Sequence, residues 1–271
     1  PSMQNQIGEV RMLKELYTAA MGMLPQQTRL ESIANNIANA GTTGFKRQSV
    51  FERNLIDARA NFYNVPGDAE QNDPPVGSYT DFSAGAMQKT DNPLDIAIDT
   101  ENGFFVLQDE DGNNYLTRRG NFKLDKDGNI VTMDGKYLLG NDGILNVYKD
   151  FNQEQLDYTD ANALNLKINE NGECFTNETY IGTVEIAKPS NLQTLENISN
   201  SDFIVREDTD IEILTPEQIT LRQGWLENSN VNIVDEMVKM IELQRMFEAG
   251  TKVIQTNDGT LDTSIKMGRY Y

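Results

Sequence analysis

The sequence contains no histidine, one cysteine and one tryptophan among its 271 residues. Without histidine the chain cannot build a Ser-His-Asp or Cys-His nucleophile system, a histidine-ligated zinc site or an imidazole acid-base group. A single cysteine, Cys174, excludes an internal disulfide and a metal site made only of cysteines. The groups on which most enzymes depend are therefore largely missing, and we expect no catalysis and no cofactor.

Basic residues are also scarce, with 23 Lys+Arg against 42 Asp+Glu and a formal net charge of −19 at pH 7. A surface of this sign repels phosphate groups, so we expect no nucleic-acid partner. The sequence has no run of about 18 apolar residues, and we therefore expect no membrane insertion. Residues 1–10 lack the pattern of a signal peptide, and Met12 is a plausible natural start.

Apolar residues recur every seven positions near both ends of the chain. Such repeats predict two long helices that pack on one another as a coiled coil, although a helix lying on a globular core would show them as well. We expect Asn232 to cap the second helix, Pro25 to kink the first, and Gly41 to end the first helix in the left-handed conformation. We call the repeating positions the assembly seam: Leu13, Leu16, Met23, Leu30, Ile37, Ile233, Met240, Phe247, Ile254 and Leu261.

The middle of the chain is typical of antiparallel β-structure. Short runs rich in β-branched and aromatic residues, such as residues 104–107, are separated by Asn-Gly or Asp-Gly pairs that favour tight hairpins. The predicted fold class is α+β, with a discontinuous helical coiled-coil domain from both termini and a mainly antiparallel β middle domain. We place the helical domain at 12–45 and 217–271, an extended connector at 46–90 and the β domain at 91–216.

Acidic residues in the predicted turns raise the question whether the chain binds a metal ion or catalyses a reaction. Residues 109–113 and 125–129 are similar to parts of a calcium loop, but their glycine stands at position 4 instead of position 6 and their flanks are predicted strands, which favours hairpin turns. Paired carboxylates could serve a glycosidase, yet no acidic residue stands in an aromatic motif. Cys174 has no basic neighbour that would lower its pKa. We therefore expect no metal site and no activated thiolate.

Four short motifs follow one another along the chain. Residues 32–46 read SIANNIANAGTTGFK, 92–98 read NPLDIAI, 115–122 read YLTRRGNF and 223–232 read QGWLENSNVN. Each resembles a motif of bacterial flagellar rod and hook proteins, and their order is that of the family. We expect the motif residues to direct the chain where it leaves the helices. They are Asn35, Asn36, Asn39, Thr43, Gly44, Phe45, Gly224, Ser229, Asn230, Val231 and Asn232.

The resemblance implies a structural subunit of the basal-body rod, with the terminal helices in an inner layer and the β domain facing outward. Its expected partners are further copies of itself, other rod and hook-basal body subunits, and the flagellar type III export apparatus, which would export it without a cleaved signal. Length and local motifs favour the proximal-rod FlgF branch, with a distal-rod or hook-like member as the alternative. A stalked β-domain adhesin is the rival from another functional class.

Overall fold

The computed structural model describes residues 26–52, 76–148, 166–199, 201–205 and 209–268. The predicted kink at Pro25 and the seam positions Leu13, Leu16 and Met23 lie outside the described residues, as does the side chain of Leu261.

The described chain divides into two compact units, and each is built from several separate segments of the sequence. The helical unit comprises residues 26–38, 48–52, 76–79 and 232–268, and the β unit comprises the described residues of 39–47 and 80–231. The chain therefore leaves the β unit after Arg47, returns to it at Thr80 and leaves it again after Val231.

Two helices belong to the helical unit: α1 at residues 26–38 and α2 at Ile233–Gly268. The 36 residues of α2 correspond to about 54 Å of helix. Asn232 caps α2, since its side-chain oxygen accepts the Val234 N–H at 3.1 Å, and Asp235 and Glu236 lie in the first turn, where the helix dipole favours acidic groups. The predicted long carboxyl-terminal helix and its cap are confirmed.

The first helix ends at residue 38, close to the predicted end, but its termination differs from the prediction. Gly41 does not adopt a left-handed conformation, whereas Gly44 does, with φ of 67°. The Thr42 N–H donates to the Asn39 carbonyl at 3.0 Å, so a tight turn carries the chain past Gly41 and the left-handed residue is needed only where the chain turns into Phe45. The prediction for Gly41 was wrong.

Strands make up most of the rest of the described chain, together with a short 3-10 helix at Leu192–Thr194. The strands described are β1 Gln48–Glu52, β2 Val76–Thr80, β3 Met87–Lys89, β4 Ile96–Ile98, β5 Phe104–Gln108, β6 Asn114–Thr117, β7 Phe122–Leu124, β8 Ile130–Thr132, β9 Tyr137–Gly140, β10 Gly143–Ile144, β11 Leu166–Ile168, β12 Glu173–Thr176, β13 Thr179–Thr183, β14 Ile186–Pro189, β15 Leu195–Ser199, β16 Asp202–Val205, β17 Ile211–Ile213, β18 Leu221–Gln223 and β19 Trp225–Glu227.

The largest sheet runs in the order β15-β16-β6-β5-β9-β8-β7, with β10 on β9, β14 on β5 and β17 on β14. A second sheet has the order β11-β12-β13, and the pairs β1-β2, β4-β18 and β3-β19 complete the described strands. The pairings in the β unit whose register is defined are antiparallel. Strands β18 and β19, just before α2, therefore pair with β4 and β3 from the first half of the chain.

The residues of β5 alternate between two buried clusters. Phe105 and Leu107 belong to the larger cluster, and Phe104 and Val106 belong to the smaller one. This alternation follows from strand geometry, in which successive side chains point to opposite faces. In the larger cluster the ring of Phe105 meets that of Phe122 edge-on at 5.2 Å. The β unit therefore has apolar cores on both faces of its central strand.

The hairpin turns predicted from Asp-Gly and Asn-Gly pairs are confirmed for five of the six pairs, and in each of these five the glycine has a positive φ. The sixth pair, Asn102–Gly103, joins β4 to β5, each of which pairs with other strands, and there the asparagine has the positive φ, at 58°. The five hairpin glycines are Gly112, Gly128, Gly135, Gly143 and Gly172.

The α+β class with mostly antiparallel sheets is confirmed, while a coiled coil formed by both termini stays a prediction. Strands β1, β2 and β3 lie within the described parts of the segment 46–90, which the sequence analysis treats as an extended connector. Within the described ranges, neither helix combines the length and the apolar character needed to cross a bilayer.

Candidate functional site

Three charged side chains lie buried together in the β unit. The Lys46 Nζ lies 2.6 Å from Glu227 Oε1, and the Arg118 Nη1 lies 3.4 Å from Glu227 Oε2. The side chains of Lys46 and Glu227 are each 1% exposed and that of Arg118 is 7% exposed. We call these residues the Lys46 cluster. Since two cations share one carboxylate, the cluster carries one positive charge in excess.

Backbone groups complete the Lys46 cluster. The Lys46 ammonium donates to the Ser83 carbonyl at 2.7 Å, and the Gly85 N–H donates to Glu227 Oε1 at 2.8 Å. The Arg118 guanidinium donates to the carbonyl oxygens of residues 98 and 100 at 3.3 and 3.2 Å. Lys46 and Glu227 therefore connect three stretches of chain that are far apart in sequence, around residues 46, 83–85 and 227, and Arg118 links Glu227 to residues 98–100.

A second set of hydrogen bonds connects the same three stretches through Asn230. Its side chain accepts the Arg47 N–H at 2.7 Å and donates to the carbonyls of Asp81 and Ser83 at 2.8 and 3.1 Å. The Asp81 N–H donates in turn to the Arg47 carbonyl at 2.8 Å. We call residues 44–47, 81–85 and 227–230 the exit segments, because they adjoin the places where the chain leaves or enters the β unit.

Two glycines allow the exit segments to approach their neighbours. A Cβ on Gly44 would lie 2.5 Å from the backbone carbon of Arg118, and a Cβ on Gly85 would lie 1.8 Å from the Asn228 carbonyl oxygen. The Gly44 N–H also donates to the Glu227 carbonyl at 2.7 Å. A side chain at either glycine would separate backbone that is in direct contact.

Burial affects the proton affinity of two groups in the β unit. It lowers the pKa of the Lys46 ammonium below its ordinary value, against the opposing attraction of Glu227. Burial also raises the pKa of the Cys174 thiol to about 12, so this thiol is not activated. The sequence-based expectation for Cys174 agrees with this direction.

Arg119, which follows Arg118 in the sequence, belongs to a different cluster of charged side chains. Asp202 is fully buried and lies 2.5 Å from the Lys136 ammonium and 3.6 Å from the Arg119 guanidinium. Arg119 also pairs with Asp134. We call these four residues the Asp202 cluster. It contains two cations and two carboxylates, so its charges balance, and it includes no residue of the exit segments.

In the helical unit, Asn36 connects three elements. Its amide nitrogen donates to the Gln48 carbonyl at 2.7 Å and to Glu236 Oε2 at 3.2 Å, while its oxygen accepts the Gln48 N–H at 2.9 Å. Asn36 and Glu236 are 1% and 2% exposed. Glu236 also receives a bond from Lys239 at 2.7 Å. This one side chain therefore joins α1, the start of β1 and the first turn of α2.

The described seam residues differ in burial. Leu30, Ile37, Met240, Phe247 and Ile254 are half-buried, whereas Ile233 is 44% exposed. The residues buried beside them are Ile33 and Asn36 on α1 and Glu236 and Leu243 on α2. Leu243 follows Glu236 by seven positions, so a row offset from the seam, and partly polar, carries the deepest burial on α2.

A different row of α2 is apolar and exposed. Val234, Met237, Val238 and Ile241 are 67%, 48%, 51% and 51% exposed. Their spacing of three, four and seven places them on one side of the helix. We call these four residues the α2 apolar face. The sequence analysis did not distinguish this face from the buried side.

The remaining motif residues lie mainly at turns and caps. Asn39 accepts the Thr42 hydroxyl at 3.2 Å, Thr43 donates to Asn121 at 3.2 Å, and the side chain of Phe45 is 1% exposed. Asn35 is exposed, and Val231 is half-buried. Gly224 has φ of 74°, and its carbonyl accepts the Thr90 N–H at 2.8 Å. The Ser229 hydroxyl accepts the Val231 N–H at 3.2 Å.

The acidic turns form hairpins, as the sequence analysis favoured. The Asp109 carboxylate accepts the Asn113 N–H at 2.8 Å and the Tyr115 hydroxyl at 2.9 Å. The Asp125 carboxylate accepts the backbone and side-chain N–H groups of Asn129 at 2.7 and 2.8 Å. In the part of the chain that the structure describes, no three acidic or cysteine side chains are arranged to hold a metal ion.

The three residues of the Lys46 cluster are not among the site residues predicted from the sequence. Lys46, Arg118 and Glu227 read as ordinary surface charges, because nothing in the composition indicates which charge is buried. The available signal was positional, since each stands inside one of the motif-like stretches 32–46, 115–122 and 223–232.

Three segments of the chain match families of flagellar proteins. Residues 16–46 match the family described as Flagella basal body rod protein, residues 97–176 the Flagellar hook protein FlgE/F/G D1 domain, and residues 222–267 the Flagellar basal body rod FlgEFG protein C-terminal. A flagellar basal-body rod protein FlgG of Borreliella burgdorferi is 32% identical to this chain, over 95% of the chain and 100% of the relative. The chain belongs to the flagellar basal-body rod protein family.

Other members of the rod family show the same full-length similarity. The FlgG protein of Bacillus subtilis is 31% identical over 95% of this chain and 100% of its own length. A rod protein named FlgF, from Rhizobium meliloti, is 26% identical over 93% of this chain and 96% of its own length. The family resemblance inferred from the motifs is confirmed. The preference for the FlgF branch stays a prediction, because relatives of both names match.

Proposed function

We propose that this chain is a structural subunit of the bacterial flagellar basal-body rod and catalyses no reaction. In this proposal it assembles with further copies of itself and with neighbouring rod and hook-basal body subunits through its helical unit. Family membership supports the role in the rod, and the α2 apolar face supports the helical unit as the assembling part.

The α2 apolar face is the observation on which this proposal depends. Four large apolar side chains, each about half exposed or more, lie on one side of the first turns of α2. Isolated exposed apolar residues are ordinary, but a contiguous group on one helix side is typical of a surface that another protein covers. In a rod, the covering protein is a neighbouring subunit.

Repetition of such a contact produces a rod. When one patch binds a different patch on the next copy, the contact does not close on itself and generates a helical assembly. The net charge of −19 makes free subunits repel one another and helps to keep them soluble before assembly.

The proposal also covers where the subunit is located and how it is exported. We place the subunit in the basal body and its export in the flagellar type III apparatus, without cleavage of a signal. The family resemblance of the terminal motifs supports this route. Detection of the full-length chain in purified basal bodies, with its amino terminus intact by mass spectrometry, is the expected result; a processed amino terminus would contradict it.

The position along the rod is a separate part of the proposal. The sequence features favour the FlgF branch, whereas the relative that is 32% identical is named FlgG. Expression in strains that lack either FlgF or FlgG tests the assignment. Restored swimming only in the strain without FlgF would support the proximal position, and rescue only in the strain without FlgG would overturn it.

The substitution Ile241→Asp tests assembly through the α2 apolar face. Ile241 is 51% exposed, so the folded subunit should tolerate the carboxylate, while a covered interface should not. We expect a normal circular dichroism spectrum, no rods in electron micrographs and no swimming. The matched control is Ile241→Leu, which changes the same position but keeps its side chain apolar, and it should form normal rods. Normal rods in the Ile241→Asp strain would contradict the proposal.

A further inference from the structure

The charges of the three buried side chains of the Lys46 cluster do not balance, and the acidic group that acts on Lys46 from outside the cluster, Asp81, is only half-buried. Lys46 and Arg118 are both cationic and share the carboxylate of Glu227, with all three side chains at most 7% exposed. Arg118 and Glu227 alone would form a neutral buried pair. The ammonium of Lys46 is therefore an additional charge that the fold takes out of water.

Such a charge is a poor means of stabilising a fold. Removing an ion from water can cost more than its attraction to a shared counter-ion returns, and apolar residues of similar volume often stabilise a protein at least as well. Burial lowers the pKa of Lys46, the direction expected for an ammonium taken out of water. The Asp202 cluster differs because its two cations are matched by two carboxylates.

The ammonium does, however, make contacts that an apolar side chain could not make. It donates to the Ser83 carbonyl at 2.7 Å and to Glu227 Oε1 at 2.6 Å, and so it connects all three exit segments at one atom. Glu227 Oε1 also accepts the Gly85 N–H at 2.8 Å. The direction of these bonds fixes how the segments lie beside one another.

The exit segments adjoin three of the positions where the chain passes between the units. The chain leaves the β unit after Arg47, returns at Thr80 and leaves again after Val231. The hydrogen bonds of Asn230 to Arg47, Asp81 and Ser83 connect the same segments within the β unit. Their arrangement determines where the chain enters and leaves this unit.

We propose that Lys46 is a positioning residue, whose ammonium holds the three exit segments of the β unit in one arrangement that rod assembly requires, at no gain in folding stability. The part that concerns assembly rests on the proposed function as a rod subunit. The part that concerns the exit segments depends only on the contacts of the β unit.

The test compares Lys46→Met with Lys136→Met in the full-length chain. Both substitutions replace an ammonium that pairs with a buried carboxylate by an apolar side chain of similar length. Lys46 is 1% exposed and Lys136 is 18% exposed, and Lys136 belongs to the Asp202 cluster, which includes no residue of the exit segments. Three quantities are measured for each variant. They are the free energy of unfolding from urea denaturation, the rate of amide hydrogen exchange, and rod formation in a strain from which the gene for this chain is deleted.

We expect Lys46→Met to be at least as stable as the natural chain. The amides of Arg47, Asp81 and Gly85 should exchange at least tenfold faster, while the core amide of Ile130 is unchanged. Rod formation should fall at least tenfold. Lys136→Met should leave the exchange of the exit-segment amides and rod formation unchanged.

Each other result decides against the proposal. Unchanged exchange in the exit segments would show that Lys46 does not position them. A loss of stability that accounts for the faster exchange, or a failure of both Lys46→Met and Lys46→Gln to fold, would show that the ammonium serves stability. Faster local exchange with normal rods would overturn the link to assembly.

The outcomes also separate this proposal from the proposed function. If the chain is not a rod subunit, the natural sequence itself fails to restore rods in the deletion strain, while the exchange measurements still test Lys46. If the chain restores rods and Lys46→Met does so equally, only the inference about Lys46 fails.

Discussion

The side-chain amide of Asn36 donates to the carboxylate of Glu236 at 3.2 Å, across 200 positions of sequence. Both groups are buried, and the same amide also pairs with both backbone groups of Gln48. A buried asparagine that satisfies a backbone N–H, a carbonyl and a carboxylate specifies geometry, because each lost bond leaves a polar group without water.

The substitution Asn36→Leu should therefore destabilise the helical unit. It removes the side-chain partner of the Gln48 N–H, one partner of Glu236 and one of the two side-chain donors to the Gln48 carbonyl, which also accepts the Ser32 hydroxyl at 3.1 Å. We expect a loss of about 2 to 4 kcal/mol in the free energy of unfolding. Urea denaturation followed by helical circular dichroism measures the change. On the same helix the exposed Gln27 donates to the Glu31 side chain at 3.2 Å on the surface, so Gln27→Leu should cost less than about 0.5 kcal/mol. Equal effects of the two substitutions would show that the bonds of Asn36 contribute little.

Gly44→Ala should destabilise the β unit through both its backbone conformation and a clash. An alanine at φ of 67° costs about 1 kcal/mol, and its Cβ would lie 2.5 Å from the backbone of Arg118 and Arg119. The control is Gly112→Ala, where φ is also positive but no atom lies within 4 Å of the added Cβ. We expect Gly44→Ala to cost at least about 2 kcal/mol more than Gly112→Ala in thermal or urea unfolding. A difference close to zero would mean that the exit segments can separate without cost.

Local signals in the sequence predicted the parts of the fold that depend on local chemistry. Hairpins at Asp-Gly pairs such as Asp111-Gly112, the cap at Asn232 and the length of α2 each depend on a few neighbouring residues. Their physical causes, positive φ and unpaired N–H groups at a helix start, act within a few positions of the chain.

The buried charges could not be predicted in the same way. Burial of Lys46 depends on contacts with Ser83, Arg118 and Glu227, which lie 37 to 181 positions away. Similarly, the seven-residue period marked Met240 and Phe247 on α2 but did not show that Glu236 is buried and Ile241 exposed. A period gives the spacing of a helix face, whereas the partner decides which side is covered.

Cys174 should resist alkylation in the folded chain. Its side chain is fully buried, and burial raises the pKa of its thiol to about 12, so at pH 8 the reactive thiolate is rare and inaccessible. We expect iodoacetamide to label the native chain at least about 100-fold more slowly than the chain in 8 M urea, by intact-mass spectrometry. Rapid labelling without denaturant would show that β12 opens readily.

The pH dependence of stability should report the buried ammonium of Lys46. Its pKa is lowered in the folded chain, so between that pKa and the ordinary lysine value the unfolded chain binds more protons. The contribution of Lys46 to the free energy of unfolding therefore rises with pH in this window. The charged groups that act on it are Glu227, Arg118 and Asp81.

The Lys46→Met variant has no ammonium at this position, so its free energy of unfolding lacks the contribution from this titration. The difference in the free energy of unfolding between the two chains therefore reports Lys46. We expect the stability of the variant relative to the natural chain to be greatest at pH 7 and to shrink toward pH 10. Urea denaturation of both chains at a series of pH values gives this difference, in which the ionisation of tyrosines cancels. A difference that grows with pH would mean that folding raises the pKa of Lys46.

The assembly seam itself is tested by Phe247→Asp. Phe247 is half-buried on α2, in the row that also contains Met240 and Ile254, and a carboxylate there must lose its water when a neighbouring helix packs on this row. We expect assembly to fall at least tenfold, with the β unit unaffected. Sedimentation of rods and hydrogen exchange of the β-unit amides measure the two effects separately. Phe247→Leu keeps an apolar side chain in this row and should leave assembly intact. If Phe247→Asp chains form rods as the natural chain does, the row does not lie in an interface and the seven-residue repeat reflects only packing inside one subunit.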